Sequence, residues 1–172
     1  GPARFIFPRA FMFRCLSLFL LAAGPVVADC STPDATFVQC RIEASTKILE
    51  VCAEQDAAVY RFGLPGRPEM ELFEPYAMLD YQPWPGVGRD IWEEASFYNE
   101  EYRYTAFAGA ERQVGTAETT QLFGGVIVSK DGEELARLDC DPDTVTFGFG
   151  TGLSEGKSRA GYSWIPGEGW VR

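Results

Sequence analysis

Apolar and polar residues alternate along most of the chain after residue 35, and this is the period of β-strands that bury one face. No segment carries sustained helical periodicity. Asp131-Gly132 separates two of the alternating segments and is the strongest hairpin signal in the chain. The pattern predicts seven or eight strands, in segments 36–43, 47–53, 57–63, 69–75, 96–109, 122–130, 133–140 and 143–150.

Most connections between these segments are short, and short connections make strands that follow one another in the chain neighbours in the fold. Proline and glycine mark 76–90 as a loop, 111–120 is polar and also predicted as a loop, and 161–170 is a broken tail. Strands that follow one another in this way favour an antiparallel meander. We therefore predict an all-β, single-domain, disulfide-bonded protein that forms a small barrel or sandwich.

Residues 1–28 have the composition of a secretory signal peptide. Arg14 follows Met12, an apolar run extends from residue 15 to 23, and Val26-Val27-Ala28 is a small-residue cleavage site. We expect Met12 to be the true start, with residues 1–11 as an upstream extension. The apolar run is too short to span a bilayer.

Cleavage after Ala28 defines the expected mature protein, residues 29–172. Asp29 precedes Cys30, and a charged residue at that position disfavours a lipid anchor on the cysteine. We therefore expect a single β domain that is periplasmic or secreted and has no membrane span.

The mature segment contains four cysteines: Cys30, Cys40, Cys52 and Cys140. An even number in an exported chain predicts two disulfides, because oxidising compartments cross-link thiols. No C-x-x-C pair is present, so a zinc site built from thiolates is a weak alternative. We expect no metal and no cofactor.

The strand pattern narrows the disulfide pairing. If the first hairpin turns at Ser45-Thr46, Cys40 and Cys52 lie on opposite faces and do not bond to each other. Either Cys40–Cys140 forms with Cys30–Cys52, or Cys30–Cys40 forms with Cys52–Cys140. We favour the first pairing, because a bridge from the first strand to a late one closes a loop of about a hundred residues and contributes ~4 kcal/mol in the chain-entropy model.

The charge of the mature segment restricts the class of partner. Residues 29–172 carry 12 basic and 25 acidic side chains, a formal net charge of −13. Such acidity argues against nucleic acid and favours a cationic partner. The chain has no histidine, which excludes mechanisms that need an imidazole base and zinc sites that need a histidine ligand.

Residues 151–158, TGLSEGKS, contain two motifs of enzymes. The segment is similar to a phosphate-binding loop with Thr151 in place of the first glycine, and Ser154 and Lys157 have the S-x-x-K spacing of a lysine-activated serine. Both motifs need a helix, and Gly156 together with the preceding glycines opposes one. We therefore predict a loop here and no enzymatic activity.

Two groups of carboxylates are candidates for other chemistry. Asp139, Asp141 and Asp143 have the spacing that begins a calcium loop, but the glycine and the final glutamate of such a loop are missing. We expect a solvated turn there, with an irregular calcium site as the alternative. A solvated face is also the prediction for a second acidic run, which comprises Asp90, Glu93, Glu94, Glu100 and Glu101.

The loop 76–92 and the two acids after it supply the candidate binding residues. Aromatic rings offer contact area, and carboxylates at their rim steer a cationic partner. The alternative is that the rings cap an open end of the fold. The candidates are Tyr76, Tyr81, Trp84, Asp90, Trp92, Glu93 and Glu94, with Asp80 in the same loop.

The order of several motifs resembles a widespread group of short exported bacterial proteins. These motifs are Cys30, FVQC ending at Cys40, TKILEVC ending at Cys52, AVYRFG, EMELF, Tyr102-Arg103-Tyr104 and the hairpin from Val126 to Cys140. This resemblance implies a fold but gives no information about activity. A weaker similarity is to the periplasmic and membrane-bound inhibitors of C-type lysozyme, small exported β-barrels whose S-G-x-x-Y inhibitory segment has no match in this chain.

The sequence therefore predicts an exported, monomeric, non-enzymatic binding protein. Its expected partner is a basic protein, with a lysozyme-like hydrolase as the specific hypothesis. The alternative is a site for a small ligand or an envelope component in the interior of the barrel. An enzyme that uses carboxylates, or Ser154 with Lys157, is the third hypothesis.

Overall fold

Two antiparallel five-stranded sheets make up most of the computed structural model, which describes residues 29–112, 120–150 and 152–172. The first sheet has β10 at one edge, then β1, β2, β3 and β4. Its strands are β1 (Thr36–Arg41), β2 (Ile48–Ala53), β3 (Ala57–Leu64), β4 (Arg67–Pro75) and β10 (Thr146–Phe147). The predicted signal peptide, residues 1–28, lies outside the described residues.

The second sheet follows the chain order from one edge to the other. Its strands are β5 (Asp80–Gln82), β6 (Asp90–Asn99), β7 (Tyr102–Glu111), β8 (Leu122–Lys130) and β9 (Glu133–Asp139). A short helix, α1 (Leu153–Arg159), and a terminal hairpin of β11 (Ser163–Ile165) and β12 (Gly169–Val171) complete the described elements.

The two sheets pack face to face around one hydrophobic core. Val38, Leu49 and Val51 face inward from the first sheet, and Phe97 and Val126 face inward from the second. The sheets do not close into a continuous barrel, so the predicted all-β antiparallel fold is confirmed as a sandwich. After β9 the chain crosses from the second sheet to the first. There the backbone of Cys140 forms an isolated antiparallel β-bridge with that of Ile42.

The faces of the first hairpin are as predicted, but its register differs by two residues, because the turn is centred on Ala44-Ser45 and not on Ser45-Thr46. Cys40 lies opposite Leu49, and Val38 lies opposite Val51, so these side chains share the core face of the first sheet. A bulge between Thr36 and Val38 shifts the register by one residue at the far end of the hairpin.

The favoured disulfide pairing is confirmed. Cys30 is bonded to Cys52, and Cys40 to Cys140, with Cα–Cα distances of 5.4 and 5.8 Å. The first disulfide holds the N-terminal segment against β2. The second disulfide links the first sheet to the end of β9 in the second sheet.

The expected long strand 96–109 is wrong, because the chain reverses at Glu100-Glu101. Asn99 pairs with Tyr102, and Glu100 has a φ of 55° that closes the turn. Because of this reversal, the tyrosines on its two sides lie on opposite faces of the sheet. Tyr98 pairs with Arg103 on the outer face of the sheet, whereas Tyr104 pairs with Phe97 and packs against the core.

The C-terminal region differs from the prediction in three places. The expected broken tail 161–170 contains the hairpin of β11 and β12, in which Trp164 pairs with Trp170. The expected strand 143–150 is reduced to the two residues of β10, after a short 3-10 turn at Pro142–Thr144. The expected loop around Gly156 is wrong, since Leu153–Arg159 is helical. A Cβ on Gly156 would lie 2.1 Å from the ring of Tyr76, so the glycine lets the helix approach this ring.

Candidate functional site

The structure places the aromatic residues of the predicted binding loop at different depths. Tyr76 and Tyr81 are 4% and 2% exposed and belong to the core. The Tyr76 hydroxyl donates to the carbonyl of Glu54, and Arg159 lies over its ring. The loop also contains a strand, β5, that begins at Asp80. These two rings cover the core, as the alternative interpretation expected.

Glu93 is a buried carboxylate that joins three segments of the chain. It lies on the core face of β6 and accepts hydrogen bonds from the Tyr81 hydroxyl at 2.9 Å and the Gly150 N–H at 3.2 Å. The backbone N–H of Trp84 also donates to it. At 2% exposure Glu93 is not part of a solvated face, so that prediction is wrong for this residue.

Burial raises the pKa of Glu93 above its ordinary value of 4.5, and the three hydrogen bonds oppose this rise. Burial also raises the pKa of the Tyr81 hydroxyl, and the neighbouring Glu93 raises it further. Glu93 has no basic partner among the described residues. Its role in the structure is to fix the loops around Trp84 and Gly150.

The remaining candidates from β6 lie on its outer face. Trp92 and Glu94 alternate with Glu93 along the strand, so they point away from the core, and Asp90 pairs with Glu111 at the start of β6. Glu94 is half-buried, and burial raises its pKa although Arg103 and Arg137 oppose the rise. The seven predicted residues therefore do not form one surface.

Trp84 is half-buried at the tip of the loop between β5 and β6, beside exposed apolar residues. Its ring is 6.1 Å from that of Phe149, and the guanidinium of Arg112 lies 5.2 Å from its centroid. Val87 and Phe149 are 69% and 46% exposed. The charged residues around this tip include Arg89, so the tip is not distinctly acidic. Whether the predicted residues bind a partner stays a prediction.

Lys157 is buried, and its amine does not have the contacts of a lysine that activates a serine. Its Nζ donates to the carbonyl of Leu79 at 3.0 Å and lies 4.5 Å from the ring centroid of Tyr162. Burial lowers the pKa of this amine. Ser154 is on the same helix, but the described hydrogen bonds of Lys157 do not include its hydroxyl. The amine anchors α1 to the strand-β5 region.

Two of the three aspartates with calcium-loop spacing have their carboxylates engaged in other contacts. Asp139 pairs with Arg137 at 3.0 Å, and Asp141 forms an ion pair with Arg41. Asp141 also accepts a hydrogen bond from the N–H of Asp143, which caps the short 3-10 turn. Arg41 lowers the pKa of Asp141. The pattern of contacts is that of a structural turn.

A further group of potential metal ligands brings Glu50 close to Cys30 and Cys52. The two sulfurs are bonded to each other, so neither supplies a thiolate. Glu50 is 1% exposed and is held by Arg61 at 2.8 Å and Gln39 at 2.9 Å. This group therefore stabilises the outer face of the first sheet.

A group of exposed carboxylates lies where two turns of the second sheet meet. We call it the acidic end, and it comprises Glu100, Glu101, Asp131, Glu133 and Glu134. Lys130 pairs with Glu101 at 2.6 Å, and the other four acids form no ion pair among the described residues. The pairing of Tyr102 with Lys130 and of Lys130 with Glu133 brings the two turns together.

Sequence reasoning missed the acidic end as a unit. The predicted strand 96–109 runs through Glu100 and Glu101, so it does not place their turn beside Asp131-Gly132. The signal that could have located it is Asn99-Glu100-Glu101, since three consecutive polar residues interrupt the alternation of the predicted strand.

Comparison with protein-family models, curated proteins and solved structures finds no significant match. None of the described helices combines the length and the apolar composition needed to cross a bilayer. The two disulfides are typical of proteins that mature in an oxidising environment.

Proposed function

We propose that this protein is an exported, non-catalytic binding protein that takes a basic protein as its partner. The observation that carries the proposal is the acidic end, where five carboxylates face a single lysine. The net charge of −13 over residues 29–172 adds a long-range attraction for cations. A lysozyme-like hydrolase is the specific partner that we propose to test first.

The arrangement of the acidic end suits steering. Glu100, Asp131, Glu133 and Glu134 are exposed and project from two adjacent turns on a rigid sheet. Charges that are placed together on one side of a protein orient an approaching cation and raise the association rate about 10- to 1000-fold, most strongly at low salt. Charges at the edge of a binding interface change the affinity less than they change the association rate.

The test is association with a C-type lysozyme, measured by stopped-flow mixing at low and at physiological salt. We expect the association rate constant to fall about tenfold or more as salt rises, because exposed charges are screened. Inhibition of cell-wall hydrolysis is measured in parallel. Unimpeded hydrolysis at low ionic strength would contradict the lysozyme hypothesis.

Two variants with equal net charge locate the binding surface. The first neutralises the acidic end with Glu100→Gln, Asp131→Asn, Glu133→Gln and Glu134→Gln. The matched control neutralises four exposed acids elsewhere, with Asp34→Asn, Glu43→Gln, Asp56→Asn and Glu168→Gln. We expect only the first variant to lose the fast association, and an equal loss in both would show that net charge alone acts.

A further inference from the structure

An apolar cleft opens between the two sheets. The first sheet contributes Tyr60, Phe62, Glu69 and Met70, and the second contributes Tyr104, Val126, Val128 and Leu138. Its volume is about 350 Å³, within the range of about 300–1000 Å³ that is typical of small-molecule sites. From this cleft we propose that the protein binds a cationic amphiphile, with the apolar chain between the sheets.

The hydroxyl of Tyr60 is the polar group that points to a ligand. Tyr60 is 1% exposed and lines the cleft. The hydroxyls of Tyr76, Tyr81 and Tyr98 all donate to protein acceptors, whereas that of Tyr60 has no hydrogen-bond partner among the described residues. Among the described residues, Trp84 Nε1 is the buried side-chain polar atom that lacks a partner, so the Tyr60 hydroxyl keeps contact with solvent in the cleft, and an acceptor on a bound ligand would take the place of water there.

The aromatic rings of the cleft are placed to contact the same ligand. The rings of Tyr60 and Tyr104 are 5.9 Å apart and tilted, and Phe97 supports Tyr60 from 5.4 Å. Burial raises the pKa of both tyrosine hydroxyls, so both stay protonated and can donate. An acyl carbonyl between the chain and the head group is the acceptor that these hydroxyls would bind.

The charges beside the cleft determine the sign of the head group. Lys47, which lies over the ring of Phe62, is paired with Glu69 at 2.7 Å. Lys130, two residues beyond Val128, is paired with Glu101. Both cations are thus neutralised by carboxylates. The unpaired acids of the acidic end lie on the turns beyond the pair of Tyr102 with Lys130, two residues along the strands from the cleft residues Tyr104 and Val128. The excess negative charge favours a cationic head group.

Lauroylcholine is a suitable probe, since it combines a cationic head, an ester carbonyl and a single alkyl chain. Laurate carries the same chain with a negative charge, and dodecyltrimethylammonium carries the cation without the carbonyl. All three are used below the concentrations at which they form micelles. We expect binding to fall from lauroylcholine to dodecyltrimethylammonium and to be weakest for laurate.

The methionines of the protein report where the probe binds. Met70 lines the cleft, whereas Met78 is 72% exposed at another place. In the disulfide-bonded protein labelled with ¹³C at the methionine methyl groups, we expect saturable shifts of the Met70 signal and none of the Met78 signal. An unshifted Met70 signal, or equal shifts of both signals, would overturn the proposal.

Two substitutions on β8 test whether the cleft itself is occupied. Val128→Phe fills the cleft and should weaken lauroylcholine binding at least tenfold. Ile127→Phe is the matched control, because its side chain points to the outer face of the same sheet, and it should leave binding unchanged. Equal effects of the two substitutions would overturn the proposal.

Tyr60→Phe tests the hydrogen bond to the ligand separately from the fold. It should reduce lauroylcholine binding about fivefold but leave dodecyltrimethylammonium binding and the stability of the free protein unchanged. Tighter binding of laurate than of lauroylcholine would overturn the assignment of a cationic ligand. The Val128 and Tyr60 variants leave the acidic end unchanged, so their outcomes can be told apart from those of the basic-protein proposal, which is tested with a different assay.

Discussion

At the scale of single residues, the fold contains two buried carboxylates that are stabilised in different ways. Glu50 has an arginine partner, Arg61, and the pair lies under the N-terminal segment on the first sheet. Glu93 has only neutral donors, from Tyr81, Trp84 and Gly150. A carboxylate without a nearby cation is the more costly to ionise, because hydrogen bonds offset only part of its desolvation.

The stability of the protein should therefore depend on pH through Glu93. Its pKa in the folded state is raised above 4.5, so the folded state binds more protons than the unfolded state once pH exceeds this value. The contribution of Glu93 falls as pH rises from about 4.5 and becomes constant above its raised pKa. Urea unfolding of the native protein and of Glu93→Gln, measured across this range, should give free energies whose difference follows this decline. Parallel pH profiles for the two proteins would contradict it.

At the scale of secondary-structure elements, the sequence predicted most strands and missed two features that depend on tertiary contacts. The alternation around Cys40, Leu49 and Val51 is local, so it predicted the first hairpin and the side chains that share its core face, whereas the observed register differs by two residues from the predicted one. The reversal at Glu100 has no glycine or proline to mark it. The helix α1 contains Gly156, which lowers helix propensity, and its stability comes from packing that the sequence pattern does not show.

Substitution of Gly156 by alanine should destabilise the protein, although helix propensity alone favours alanine over glycine. Gly156→Ala would stabilise an isolated helix by about 1 kcal/mol. Here the added Cβ would lie 2.1 Å from the Tyr76 ring, which is held by its hydrogen bond to Glu54 and by Arg159. We expect a loss of about 1–3 kcal/mol in the free energy of unfolding by urea.

The control for this substitution is Ser158→Ala, at an exposed position of the same helix, which should change stability by less than about 0.5 kcal/mol. A double-mutant cycle of Gly156→Ala with Tyr76→Ala should show a favourable coupling, since the smaller side chain removes the clash. Additive effects would mean that contact with Tyr76 is not the reason for the glycine.

At the scale of the whole molecule, the sequence predicted an antiparallel β fold and the disulfide pairing but not the arrangement of the surfaces. Strand parity separated Cys40 from Cys52 without any knowledge of the sheets. The candidate loop was identified by residue type alone, and residue type does not distinguish Tyr81 in the core from Trp92 on the outer face. The acidic end and the cleft both depend on which strands become neighbours, and local patterns do not contain this information.

The two disulfides should contribute unequally to the stability of the sandwich. Cys40–Cys140 spans a sequence separation of 100 residues and links the two sheets, whereas Cys30–Cys52 spans 22 and fastens one segment. The chain-entropy model assigns about 4–5 kcal/mol to the longer loop and about 3 kcal/mol to the shorter. Urea unfolding of the paired alanine variants, Cys40→Ala with Cys140→Ala and Cys30→Ala with Cys52→Ala, should give the larger loss for the first pair. An equal or larger loss for the second pair would show that clamping the N-terminal segment over Glu50 matters more than joining the sheets.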